Sequence, residues 1–324
     1  MSNNLGFPMA KKESVKSIVR DIKALKIQGA SQVRKAVVKA VKISVQDSQA
    51  KTVNEFRKEL KEDMLALATA RPTEPETRTA LRIILKEAMK HQPLEKLKEN
   101  VLLECLEYEL NRRNAMETIA KIGAKKLKIK HVVFTHCHSH TVEGILIEMK
   151  KQKILKHVYL TETRPRWQGR ITAQNLTKAG IPCTMLVDSA ARHFIHEADV
   201  FLTGCDAIIA NGAVVNKIGT SMISLAAQKL KIPHYVATST HSFDPATFFG
   251  AKETIEERPI SEVWEKKLGK LTIRNPAFDV TEPELVTGII CEKGVFTPKR
   301  FVRQMARDLV HEGKKFVSLI ELLK

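Results

Sequence analysis

The stretch HVVFTHCHSHTVEGILIEMKKQ, residues 131–152, decides how this chain is read. HVVFTH is short, apolar and β-branched, as a buried strand requires. From Ser139 onward, SHTVEGILIEMKKQ places apolar side chains three and four residues apart, the spacing of an amphipathic helix. The alternation then repeats. KHVYLTE (156–162), PCTMLVDS (182–189), ADVFLTGCD (198–206), PHYVATS (233–239) and LVTGIICEKG (285–294) read as strands. QGRITAQNLTKAG (168–180), IGTSMISLAAQKLK (218–231) and PKRFVRQMARDLV (298–310) read as helices. Strand and helix in alternation imply an α/β fold with a Rossmann-like, doubly wound parallel sheet.

Upstream of this region, residues 14 to 122 have helical periodicity, interrupted by the two prolines of ARPTEP (70–75), and Gly123 is a natural stop. The expected organisation is a helical N-terminal domain over 1–125 and a Rossmann-like catalytic domain over 126–324. The sequence has no internal repeat or low-complexity tract.

Composition narrows the function classes. The N-terminal residues lack an apolar leader core, and no run approaches the ~18 apolar residues of a membrane span. The 5 cysteines form no CxxC pair. Both features suit a reduced, cytoplasmic protein with no membrane partner. The net charge is +18, and residues 1–130 hold 28 Lys and Arg against 16 Asp and Glu, an excess of +12. Such a balance suits polyanions. These are nucleic acid or phosphorylated small molecules; the plain alternative is a solvated lysine-rich surface, which is favoured because aromatics are only 5% and are not interleaved with the basic residues for base stacking.

In open parallel sheets, ligands bind beyond the carboxyl ends of the strands. Here those ends carry THCHS, TETRPRWQGR, DSAAR and GCDAIIANGAVVNKIGT. Cys137 falls where a strand gives way to a helix, and a helix N-terminus favours thiolate, so its pKa is expected to fall below the usual value of about 8.5. Zinc needs three or four ligands. His136 and His138 supply two, and no second cluster follows, so no metal is expected. Asp206 follows a strand ending at Gly204 and should face the same crevice as Cys137. Asn211-Gly212 reads as a tight turn. Asn216 and Lys217 are expected to open a helix able to hold phosphate oxygens. Arg164 and Arg166 offer bidentate forks for phosphate, with Gly169 beside them, and Arg71 lies at the helix break.

Taken together, THCHS, TETRPRWQGR, DSAARHF, GCDAIIANGAVVNKIGT and NPAFDVTEPE resemble one superfamily over nearly the whole chain. It contains the alpha, beta and delta subunits of translation initiation factor 2B, methylthioribose-1-phosphate isomerase and ribose-1,5-bisphosphate isomerase. Its isomerases carry a cysteine in the THC segment and an aspartate before NG, and both stand here as Cys137 and Asp206. RPRWQG and DSAARH are more similar to the ribose-1,5-bisphosphate isomerases. The resemblance implies conversion of ribose 1,5-bisphosphate to ribulose 1,5-bisphosphate in nucleotide and pentose phosphate degradation, without a cofactor. It implies Cys137 and Asp206 as acid and base, with Gly29, Ala30, Arg71, Arg164, Asn211, Gly212, Asn216 and Lys217 as substrate and phosphate contacts. It also implies a homo-oligomer, a dimer or hexamer. One position departs from the pattern: Gln28 stands where the isomerases have an arginine. The alternatives are a regulatory initiation-factor subunit that binds a partner subunit, and the methylthioribose enzyme.

Overall fold

The computed structural model describes residues 13–27, 29–71, 74–129, 131–266, 268–311 and 318–323; Gln28 lies outside them. The fold is α/β, with a helical N-terminal region and a mostly parallel sheet. Two compact units divide the chain: Met1–Arg71, Ala80–Glu107 and Leu319–Lys324, and Pro72–Thr79 with Tyr108–Ser318.

The first unit holds α1 (Val15–Lys23), α2 (Ala30–Asp47), α3 (Val53–Ala70), most of α4 (Pro75–Ala88), the start of α5 (Leu94–Lys126) and α11 (Leu319–Leu323). Its helices begin where the sequence supplies caps. Ser14 and Ser17 form a reciprocal capping box on α1, and Thr52 and Glu55 form another on α3. Ile18, Ile22, Val37, Val41, Phe56, Leu60 and Met64 are buried and recur at helical spacing. Arg57 closes the end of α4, donating to the carbonyls of Ala88 at 3.0 Å and Lys90 at 2.8 Å.

The second unit is built on a seven-stranded sheet. Its strands are β1 (Val132–Thr135), β2 (His157–Thr161), β3 (Cys183–Leu186), β4 (Val200–Thr203), β7 (His234–Ala237), β9 (Gly288–Cys291) and β10 (Gly294–Phe296), in the spatial order β10-β9-β7-β4-β1-β2-β3. All neighbours are parallel except β9 and β10. Successive strand residues face opposite layers. Val133 packs with α6 (His140–Lys151) and α7 (Gln168–Lys178), whereas Phe134 packs with α8 (Ala191–Phe194) and α9 (Thr220–Lys229). α10 (Pro298–His311) covers Val236 and Ile289 through Phe301 and Met305.

The sequence pattern missed a second, antiparallel sheet of β5 (Ala207–Ile208), β6 (Val214–Lys217) and β8 (Phe278–Thr281). The helix expected to open at Asn216 and Lys217 is corrected by it, because both residues close β6. An Asn-Gly pair flanked by apolar runs is a hairpin signal, and Gly212 takes the φ of +89° that such a turn needs.

Candidate active site

The sheet order reverses between β1 and β4. The chain runs outward from β1 through β2 to β3, then returns to place β4 on the other side of β1. Crossovers leave a crevice at such a switch point, beyond the carboxyl ends of the strands. Cys137 follows β1 and Asp206 follows β4, so the two flank that crevice. Phe134 pairs with Phe201 in register, and Cys137 and Gly204 each follow three residues later, just past the ends of the two strands. A Cβ on Gly204 would lie 2.7 Å from the Ser139 side chain, so the two strand ends touch.

Cys137 is half-buried with a left-handed φ of +68°. Its N–H donates to Thr163 Oγ1 at 3.0 Å, and its carbonyl accepts from Thr172 Oγ1 at 3.1 Å. These bonds fix a backbone conformation that costs a non-glycine residue about 1 kcal/mol or more. Burial pushes the thiol up to about 11, against smaller downward pulls from Lys217 and from the His138 N–H; the Asp206 and Asp188 carboxylates push it further up. The expected lowering by the helix start is therefore corrected. Cys137 precedes the N-cap, Ser139, whose hydroxyl already accepts the Val142 N–H, and desolvation of a thiolate outweighs what remains of the helix field.

Lys217 is 6% exposed, its ammonium lies 5.2 Å from the centre of the Phe278 ring, and no carboxylate among the described residues pairs with it. Its charge acts on both Cys137 and His136. Asn216 donates to Thr220 Oγ1 at 3.0 Å, tying the end of β6 to α9. At the start of α9, part of the anion-binding capacity is already used from within the chain. Asp279 Oδ2 takes the Gly219 and Ser221 N–H groups at 2.7 and 3.1 Å. Burial raises the Asp279 carboxyl to about 6.

His136 is held at both ring nitrogens. Nε2 donates to the Ile218 carbonyl at 2.9 Å, so Nδ1 accepts from Thr161 Oγ1 at 2.5 Å. Burial lowers its pKa to about 4, which keeps it neutral. Gly219, with a φ of +103°, lies against this ring; a Cβ there would sit 3.2 Å from Nε2. His138 faces Thr172 and Glu143, and His140 stacks edge-on to it at 4.6 Å. The histidines shape the β1–α6 turn.

Arg164 is exposed. Its guanidinium lies 4.8 Å from the Trp167 ring centre and donates to the Val263 carbonyl at 3.3 Å. Asp188 anchors its loop by accepting the Thr163 and Arg164 N–H groups at 2.8 and 2.6 Å. Arg166 pairs with Glu262 at 2.9 Å. Asn211 and Gly212 are not brought to Cys137. They turn the hairpin at the far end of β6 from Lys217, roughly 15 Å along the strand, where Gly212 packs on Pro283 and Pro298. Gly29, Ala30 and Arg71 belong to the first unit. Gly29 starts α2 at a φ of +83° with no side-chain cap, and Arg71 caps the end of α3.

A model of the initiation factor 2 subunit family matches residues 26–298. This chain belongs to that family. Among other members of the family, a ribose 1,5-bisphosphate isomerase of Pyrococcus furiosus is 40% identical over 293 residues, which are 87% of this chain and 90% of that one. The crystal structure of a Pyrococcus horikoshii translation initiation factor eIF-2B superposes with a TM-score of 0.76 at 30% identity, covering 89% of this chain and 98% of its own. A 5-methylthioribose 1-phosphate isomerase from the same organism superposes with a TM-score of 0.75 at 28% identity, covering 91% and 88%.

In this member of the initiation factor 2 subunit family, residue-by-residue reading passed over Asp188, Thr163 and Asp279 as parts of the site. Asp188 and Thr163 hold the loops around Cys137, and Asp279 occupies the α9 start. Each stood inside a quoted motif, but its role depends on a partner 25 to 60 residues away.

Proposed function

We propose that this chain is an aldose–ketose isomerase that converts ribose 1,5-bisphosphate to ribulose 1,5-bisphosphate, with the chemistry carried by the sheet domain, residues 126–324. The observation that carries the proposal is one thiol at the switch point on which one carboxylate, Asp206, and one buried ammonium, Lys217, unpaired among the described residues, both act. The named relative of Pyrococcus furiosus supplies the substrate.

The product requires the C2 hydrogen to move to C1 and the O2 proton to leave while the ring oxygen gains one. A thiol that rests protonated begins as an acid. Cys137 gives its proton to the ring oxygen as the C1–O4 bond breaks, and the resulting thiolate takes the C2 hydrogen to give an enol phosphate. Asp206 then accepts the O2 proton while Cys137 returns the hydrogen to C1. Transfer of the proton from Asp206 to the thiolate closes the cycle with atoms balanced. Lys217 and Asn216 hold the phosphate nearer the reacting carbons, and Arg164 supplies a second cation. For Gly29, Ala30 and Arg71, phosphate contact is proposed on the family resemblance alone. The protein is proposed to be a cytoplasmic homo-oligomer.

Purified protein is incubated with ribose 1,5-bisphosphate, and ribulose 1,5-bisphosphate is followed. Turnover by the wild type and its loss in both Cys137→Ala and Asp206→Asn support the reading. Turnover of methylthioribose 1-phosphate alone moves it to the methylthioribose enzyme. Binding of the sugar phosphate with no turnover moves it to a regulatory subunit.

A further inference from the structure

The thiol and the ammonium of the proposed site stand on different sheets. Cys137 follows β1 of the seven-stranded sheet, and Lys217 closes β6 of the three-stranded one. β1 pairs with β2 and β4, and β6 with β5 and β8, so no strand ladder runs from one residue to the other. Their spacing is set where side chains of one sheet meet the backbone of the other.

His136, the residue before Cys137, makes such a contact, and it is 2% exposed. Its Nε2 lies 2.9 Å from the carbonyl oxygen of Ile218, the residue after Lys217. A carbonyl only accepts, so Nε2 carries the ring proton. In the neutral ring Nδ1 is then an acceptor, and Thr161 Oγ1 on β2 donates to it at 2.5 Å. Other bonds at this turn shape it from the side of β6, β8 and α9. Thr220 Oγ1 donates to the Lys217 carbonyl at 2.7 Å, and the Ile218 N–H donates to the Ala277 carbonyl at 3.1 Å. Gly219 brings its backbone against the ring, where a Cβ would sit 3.2 Å from Nε2. The ring therefore touches the turn at two consecutive residues and ties it to β1 and β2.

We propose that His136 is a positioning residue: its ring ties the turn carrying Lys217 to the strand end carrying Cys137, and so holds the phosphate-binding ammonium at a fixed distance from the thiol. The proposal takes the phosphate role of Lys217 from the function proposed above. A lysine is a point charge on a flexible stem, so its placement depends on the backbone at its foot. An imidazole suits this task because it is rigid and bonds at two ends, one nitrogen to β2 and the other to the β6–α9 turn. A phosphate seated off its place would carry the reacting carbons away from the thiol.

The test uses the full chain. The amide oxygen of an asparagine stands about where Nδ1 does, and the amide nitrogen of a glutamine about where Nε2 does. His136→Asn therefore keeps the Thr161 bond and loses the Ile218 bond, whereas His136→Gln keeps the Ile218 bond. Iodoacetamide alkylation of Cys137 at pH 9 reads the placement of Lys217 without substrate, because a nearby cation favours thiolate. His136→Asn should slow it about threefold, and should slow it no further in a Lys217→Met background. For ribose 1,5-bisphosphate, kcat/KM should fall about tenfold in His136→Asn. His136→Gln should recover most of both losses. In the unmutated chain, 15N NMR of the ring should show the proton on Nε2. A proton on Nδ1 overturns the proposal, and so does unchanged alkylation in His136→Asn. Equal effects of His136→Asn and His136→Gln, or a further slowing in the Lys217→Met background, mark a structural role only and overturn it too. Slowed alkylation with an unmoved kcat/KM overturns the phosphate-positioning role. Slowed alkylation in a chain that does not turn over the bisphosphate sinks the functional reading and leaves the tie between His136 and Lys217 standing.

Discussion

The protonation of Cys137 is open to a direct kinetic test, because only thiolate reacts with iodoacetamide. An ordinary thiol titrates at 9.0, and burial takes Cys137 to about 11. At pH 8 the thiolate fraction is then about 0.1% instead of about 10%, so alkylation at Cys137 should run about 100-fold slower than in the unfolded chain. The rate at this site, read by peptide mass spectrometry, should keep rising up to about pH 11. Two variants fix the cause. Lys217→Met removes a cation that stabilises thiolate, so the midpoint rises by about one unit and alkylation at pH 9 slows about tenfold. Asp206→Asn removes a carboxylate that opposes thiolate, so the midpoint falls and alkylation speeds up. A wild-type midpoint at or below about 8.5 refutes the reasoning, as does slower alkylation in Asp206→Asn. The first result would mean that the helix start governs the thiol, and the second that the Asp206 carboxylate does not oppose the thiolate.

Other consequences follow from the same geometry. Lys217→Met should raise KM for the bisphosphate about 10- to 100-fold, the value of one charge-assisted contact of ~1.5–3 kcal/mol, measured by steady-state kinetics. Arg112→Met leaves Glu76 buried without its cation; both side chains are at most 7% exposed. Urea unfolding should show a loss of about 3–5 kcal/mol. Asp279 holds a proton in the folded chain up to about pH 6 that the unfolded chain releases near 3.8. Its contribution to stability is therefore lost as pH rises from 3.8 to about 6, and Asp279→Asn should flatten that decline in thermal unfolding. Gly169→Ala would drive a Cβ to 1.8 Å from the Thr161 carbonyl, so the variant should lose the β2–α7 turn and melt well below the wild type.

What the sequence determined by itself was everything written in periodicity. The change from helical spacing to short β-branched runs near residue 131 is local, and it announced the α/β class and the parallel strands. The same local logic set Cys137 and Asp206 at strand ends, because a strand of four residues leaves little choice of where it stops. The Asn-Gly turn at 211–212 was legible too, and its hairpin consequence was available in the flanking apolar residues. What the tertiary structure alone decided depends on contacts distant in sequence. Strand order is one such property: nothing in residues 131–206 reveals that β4 returns to the far side of β1, yet that reversal opens the crevice and brings Cys137 to Asp206. The Cys137 thiol is another. Its sequence position promised a lowered pKa, but proton affinity is set by how much water the fold removes, and desolvation exceeded the field of a helix start already capped by Ser139. The anion site expected on α9 went the same way, because Asp279 is 60 residues from Gly219 and adjoins it only once β8 pairs with β6.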